Sequence, residues 1–162
     1  MKLGCFQSNG ALKGMDYPAF VPANADLGYP AADIPLTFGD AAEQIRAHNM
    51  AVHSAGPLFL PDMSADNGQQ EQIARITRES IDSASTQGVP TITALIGRDM
   101  SLNGDENIAI YKELFTPLAA YAESKDVKLA FENWPRNGTM LATTPVLWDD
   151  MFEAVPSPAI GL

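Results

Sequence analysis

Short β-type runs alternate with amphipathic helical patterns along this chain, and that alternation restricts the fold more than any other feature. The β-type runs are Lys2–Gln7, Ala31–Pro35, Met50–Ser54, Pro90–Ile96, Val127–Glu132 and Ala159–Leu162. Between them, Asp40 to Asn49 opens with Asp40 and Glu43, the spacing of a capping box. Glu71 to Gln87 sets Ile73, Ile76, Ile81 and Ala84 along one stripe, and Asp105 to Ser124 does so with Ile108, Tyr111, Leu114, Phe115, Leu118 and Tyr121. Thr144-Pro145 reads as a cap followed by first-turn proline, before a helix that turns Val146, Leu147, Met151 and Phe152 inward. Tyr17 to Leu27 reads as a short or broken helix, because Pro18 and Pro22 interrupt it. Strands separated by helices pair in parallel and give an α/β fold.

The connections are lopsided. Helix-to-strand links are short, as at Gly88-Val89 and Pro156-Ser157-Pro158, whereas strand-to-helix links are long: Ala55 to Gln70, Gly97 to Gly104 and Asn133 to Thr143. Asn-Gly pairs, read as tight turns, recur in those loops at Asn67-Gly68, Asn103-Gly104 and Asn137-Gly138, and Asn9-Gly10 follows the first strand. Length is therefore invested at the carboxyl ends of the strands, where parallel α/β proteins bind ligands. A doubly wound sheet and a (β/α)8 barrel both fit this pattern. Gly10-Ala11-Leu12-Lys13-Gly14 has neither nucleotide-binding glycine spacing. A barrel takes about 250 residues, and 162 are present. The expectation is one incomplete domain over 1–162 that stops within a sixth strand.

Composition narrows the partners. Ten Lys+Arg against twenty Asp+Glu give a formal charge of −10, so neither nucleic acid nor an anionic membrane is an expected partner. One cysteine excludes a disulfide framework within one chain. The start reaches polar Gln7 and Ser8 too early for a secretory signal, and no apolar run matches a membrane span, so a cytoplasmic location is expected.

Glu132 is the leading chemical candidate. Period two puts Val127, Leu129 and Phe131 on one face of the fifth strand and Lys128, Ala130 and Glu132 on the other. A carboxylate at the end of that strand suits a metal or a proton-transfer role; an exposed Glu, or one paired with Arg98 or Arg136, fits the pattern equally. His53, read as the end of the third strand, is either structural or a ligand. Arg98, after the fourth strand, either binds hydroxyl, carboxylate or phosphate groups through its planar fork or pairs with Asp99 or Asp105. Phe6, Phe59 and Trp134 fall at or beyond strand ends, where an aromatic face packs on a sugar ring or on the core. His48, at a helix C-terminus, is assigned no chemistry.

At Phe131-Glu132-Asn133-Trp134-Pro135 the chain resembles the sugar phosphate isomerase/epimerase family, the xylose isomerase-like barrels. The resemblance extends from about Ala51 to Leu162, strongest at Thr93–Arg98, Val127–Asn133 and Leu147–Pro158. It implies a TIM-type (β/α) barrel, here about five and a half βα units, acting on a small-molecule sugar or keto-sugar. It further implies a divalent metal (Mn, Mg, Co or Zn) held by Glu, Asp, His and Glu side chains at the ends of strands five to eight. Glu132 matches the first ligand; the others are expected beyond Leu162, so metal binding by this chain alone is expected to be weak or absent. His53 falls where relatives place a substrate-contacting or metal-binding histidine, and Arg98, Trp134 and Phe6 are carried as substrate-binding residues. The implied reaction is isomerisation or epimerisation through an enediolate, with Glu132 moving the proton. The alternatives are a metal-dependent keto-sugar lyase or hydrolase of the same barrel, and a non-catalytic chain. Homo-oligomerisation is compatible with all three.

Overall fold

The computed structural model describes residues 4–5, 14–36, 39–134, 138–141 and 143–162. Among the described residues eleven elements alternate: β1 (Gly4–Cys5), α1 (Tyr17–Asp26), β2 (Ala31–Ile34), α2 (Ala41–Ala47), β3 (Ala51–Phe59), α3 (Asn67–Thr86), β4 (Thr91–Leu95), α4 (Gly104–Ser124), β5 (Lys128–Phe131), α5 (Pro145–Ala154) and β6 (Ile160–Gly161). The sheet order is β1-β2-β3-β4-β5-β6, every pair parallel. A doubly wound sheet must reverse its strand order at a switch point; this one never does. Crossovers between adjacent parallel strands are right-handed as a rule, and an unreversed run of them sets the helices on one face, as in a TIM barrel. Among the described residues β1 and β6 do not pair with each other, so these six strands form an open arc.

The core lies between that arc and its helices. Ile92, Ala94, Leu129 and Phe131 point from the sheet toward Tyr111, Phe115 and Leu118 of α4, all buried. Phe131 meets Tyr111 and Phe115 edge-on, with centroids 6.0 and 5.3 Å apart, geometry favoured by the ring quadrupoles. The opposite face carries exposed Lys128 and half-buried Thr91, Thr93 and Ala130. The period-two reading of β5 therefore holds. No helix among the described residues is long and apolar enough to cross a membrane.

Several local expectations change. α1 is one continuous helix, started by Asp16, whose side chain accepts from Ala19 N–H, and it tolerates Pro22 in its interior. The capping box at Asp40 and Glu43 does not form: Asp40 sits at φ −112°, ψ 6°, away from the extended conformation that aims a cap side chain inward. Its carboxylate accepts instead from Gln44 Nε2 at 2.9 Å. The real box is at α4, where Asn103 Oδ1 accepts from Glu106 N–H (3.0 Å) and Glu106 Oε2 accepts from Asn103 N–H (2.8 Å). Asn67-Gly68 and Asn103-Gly104 are helix starts, not tight turns, while Asn9-Gly10 and Asn137 lie outside the described residues. In α5 Trp148 and Met151 face the core, and Val146 is exposed.

The largest change concerns β3. It runs on to Phe59, so the link to α3 shrinks to residues 60–66. Two irregularities let it continue. Between Ala32/Val52 and Ile34/Ala55 one residue of β2 faces two of β3, a bulge. The pairing with β4 then shifts again between Ala55 and Leu58, where Gly56 takes φ +147° and precedes a cis bond to Pro57.

Candidate functional site

Register brings three residues to one level at the carboxyl ends of the strands. Phe59 pairs with Leu95, and Ala94 pairs with Phe131, so Phe59, Leu95 and Glu132 stand side by side on β3, β4 and just beyond β5. Glu132 continues the ladder, its N–H donating to Ala94 O at 2.9 Å. Alternation turns its side chain away from the buried Phe131, and it is exposed. Among the described residues no ion pair forms to Glu132; Arg136 lies outside them.

A second, smaller apolar group sits on this face. Leu95 and Met140 are buried but lie outside the helix–sheet core cluster. Over them stand two exposed aromatics, Phe59 (62% exposed) and Trp134 (44%). Together the four line a cleft of about 150 Å³. An adjoining cleft of about 310 Å³ runs from Phe59, Leu95 and Met140 to Asp62 and Gly97. Met140 also borders a cavity of about 10 Å³ beside Glu132, Ile96 and Trp148. Exposed aromatic faces beside a carboxylate, over an apolar floor, make a concave surface suited to a small polar ligand with C–H faces.

Backbone hydrogen bonds hold these loops in place. Leu60 N–H donates to Leu95 O (3.0 Å) and Met63 N–H to Gly97 O (2.8 Å), fixing the turn that carries Asp62. Gly97 and Met140 form an antiparallel bridge, and Leu141 N–H donates to Ile96 O at 3.2 Å. Arg98 reinforces that segment. Its N–H donates to Thr139 O (2.8 Å) and its Nε to Gly138 O (3.1 Å). Arg98 makes no ion pair with Asp99 or Asp105 among the described residues. Asp99 instead accepts from the Ser101 hydroxyl and N–H, which hold its carboxyl below the usual range.

The sequence-derived candidates divide on this geometry. Glu132 and Trp134 come together, Trp134 N–H donating to Glu132 O at 3.0 Å. Arg98 braces the floor of the same region. His53 does not sit at a strand end: it is the third residue of a strand that continues to Phe59. By register it is level with Pro90, five residue steps below Leu95, or about 16 Å along the strand at about 3.3 Å per residue. It lies exposed in the bulge opposite Asp33. Phe6 falls outside the described residues. In the sequence Phe59 stands out only as one aromatic among three, and Asp62, Leu95 and Met140 carry no mark of the cleft they line. The apolar run Pro57-Leu58-Phe59-Leu60 was the signal that the strand continues.

No group of three or more His, Cys, Asp or Glu able to hold a metal ion occurs among the described residues. Glu132 is one carboxylate with exposed oxygens, and a divalent cation needs several such donors. The described residues therefore do not by themselves fit the metal that the fold family implies.

Comparison with solved structures gives close agreement in fold at low identity. The D-psicose 3-epimerase of Clostridium cellulolyticum H10, solved with D-tagatose, superposes with a TM-score of 0.81 at 16% identity, over 99% of this chain and 62% of that one. An IolI protein with a bound zinc atom gives 0.81 at 18%, over 100% of this chain and 62% of that one. A family 2 AP endonuclease from Brucella melitensis gives 0.80 at 12%, over 99% of this chain and 67% of that one. The chain thus spans about three-fifths of the length of the epimerase and IolI chains. A search of curated proteins gives no match. The sequence model described as "Xylose isomerase-like TIM barrel" matches residues 12–162. The unreversed six-strand order and that match together establish that the chain belongs to the xylose isomerase-like TIM-barrel family.

Proposed function

We propose that this chain forms the substrate-binding part of a sugar isomerase or epimerase that moves a proton next to a carbonyl, and that Glu132 is the group that moves it. The observation that carries this reading is the register: an exposed carboxylate stands level with Phe59 across a buried Leu95, beside Trp134 and a cleft of about 150 Å³. Abstraction of a C–H proton needs a base within hydrogen-bond reach of it, held on a rigid element. Glu132 meets the second condition, because its N–H extends the β4–β5 ladder. Phe59 and Trp134 offer faces to the C–H side of a sugar. The same carboxylate returns the proton to the neighbouring carbon, which isomerises; epimerisation takes a second acid on the opposite face of the enediolate, with Glu132 as one group of that pair. Trp134 contributes binding surface, and Arg98 acts through the segment it braces.

The sugar ligands named for related structures, D-tagatose and D-fructose, are free ketoses. Taken with the formal charge of −10, they favour an uncharged keto-sugar over a phosphodiester substrate. Glu132 also offers one carboxylate to a divalent metal. Because the described residues do not complete such a site, no step is assigned to one.

The test is product analysis by chromatography. The full polypeptide is incubated with a panel of free ketoses, with and without manganese, and in parallel with a duplex containing an abasic site. Conversion of one ketose to its epimer or aldose, abolished by Glu132→Gln, is the expected result. Incision of the abasic duplex without any sugar conversion would replace this reading with a nuclease.

A further inference from the structure

We infer that Asp62, together with Phe59, forms a second subsite that takes a hydroxyl at the end of the sugar remote from Glu132 and selects an unphosphorylated end. The inference rests on the sugar reading above, and goes beyond it by assigning substrate selection to a residue of the β3–α3 link.

Asp62 is held in place on several sides. Leu60 and Met63 flank it, with N–H groups bound to Leu95 O and Gly97 O. Its own carbonyl accepts from Gln69 Nε2 of α3. Its carboxylate packs directly against the bare Cα of Gly97, where a Cβ would collide with Asp62 Oδ1 and lie 3.1 Å from Thr139 O. Glycine at position 97 is thus the condition for a carboxylate at this point of the cleft. Asp62 is exposed and makes no ion pair among the described residues, so its oxygens are available as acceptors.

Dimensions support a single ligand between the two carboxylates. Asp62 packs on Gly97, two residues or about 7 Å beyond Leu95, and Glu132 stands one strand spacing, about 5 Å, to the side of Leu95, so the two lie about 8 Å apart. A six-carbon keto-sugar and one hydrogen bond of about 2.8 Å span a distance of that order. With the reacting carbons at Glu132, the chain crosses Leu95 between Phe59 and Trp134, and its far hydroxyl reaches Asp62. A phosphate in place of that hydroxyl would bring a second anion against the carboxylate. Arg98, next to Gly97 in the chain, has its Nε turned onto Gly138 O, and no cation among the described residues pairs with Asp62. The cleft is therefore matched to a hydroxyl donor and opposed to a phosphate.

The experiment uses the full polypeptide and Trp134 fluorescence to titrate three ligands: a free 2-ketohexose, its 6-deoxy analogue and its 6-phosphate. The expected result is that the wild type prefers the free sugar. Asp62→Asn should weaken it by about tenfold or more, as loss of a charged hydrogen bond does, leave the deoxy analogue unchanged, and narrow the gap to the phosphate. Asp62→Ser, which removes the charge with a smaller side chain, should repeat the pattern, and melting curves of both variants check the fold. An equal loss for all three ligands, or no loss for any, overturns the subsite. If the wild type converts a ketose through Glu132 while Asp62→Asn binds all three ligands unchanged, the subsite alone fails. If the wild type binds none of the three, the sugar reading fails and the subsite with it.

Discussion

Gly56→Ala tests the geometry that brings Phe59 to the level of Glu132. Gly56 has φ +147°, and a Cβ built there would meet Thr93 Oγ1 and stand 2.7 Å from the Thr93 carbonyl oxygen. The hydroxyl can rotate away; the carbonyl belongs to β4, paired on both sides, and cannot. A non-glycine residue at such a φ costs about 1–3 kcal/mol, and forcing atoms into a packed site costs about 1–3 kcal/mol more. A total near 4 kcal/mol, at about 2–4 °C per kcal/mol for a chain of this size, lowers the melting temperature by about 8–16 °C. Gly104→Ala is the control. Gly104 opens α4 with nothing within 4 Å of its missing Cβ. Alanine there should stabilise by about 0.4–1 kcal/mol through the unfolded state. Thermal unfolding of the full polypeptide followed by circular dichroism reads both variants. If Gly56→Ala melts within about 2 °C of wild type, the close approach of β3 and β4 does not constrain the fold and the reasoning fails.

Other residues carry separate predictions. Asn107 is buried and staples the loop after β4: its Oδ1 accepts from Asp99 N–H (2.8 Å) and its Nδ2 donates to Asp99 O (3.0 Å) and Asn103 O (2.8 Å). Asn107→Ala leaves those groups unpaired and should cost about 1–3 kcal/mol in urea unfolding. Asp82 accepts from the Tyr121 hydroxyl at 2.6 Å and pairs with Lys125 at 3.0 Å, which holds its carboxyl below the ordinary 3.8. A lowered folded value stabilises the protein above the unfolded value, and the gain is lost as pH falls through the folded one. Asp82→Asn should therefore flatten the acid limb of the stability–pH curve below about pH 4 and leave its slope near neutrality unchanged. Arg98→Ala frees the segment 138–141 from its brace, so KM for the ketose should rise about tenfold with little change in kcat, as steady-state kinetics would read.

Much of this was legible in the sequence where period and packing agree. β5 alternates cleanly because Leu129 and Phe131 pack on α4 while Lys128 and Ala130 face away, so Glu132 could be placed on the correct face from its spacing alone. Thr144 was legible as a cap because its hydroxyl serves a local function, accepting from Leu147 N–H. The errors have physical causes. Ala55-Gly56-Pro57 has the composition of a turn, yet Gly56 keeps the chain extended through a close strand contact, and ending β3 at Ser54 put His53 at the wrong height. In α5 the choice between Val146 and Trp148 depends on helix phase, which one short amphipathic segment does not settle. Asp62 and Met140 reach the cleft through loop hydrogen bonds to Gly97, and such irregular pairing leaves no periodic trace.

Solvent-proton exchange tests the central claim most directly. The full polypeptide is incubated in heavy water with the ketose it converts, and deuterium at the carbon next to the carbonyl is followed by NMR, for wild type and Glu132→Gln. The account predicts incorporation by the wild type and a loss of about a hundredfold or more in the variant, whose melting temperature stays near wild type because the side chain is exposed. Undiminished incorporation by a folded Glu132→Gln protein would contradict it.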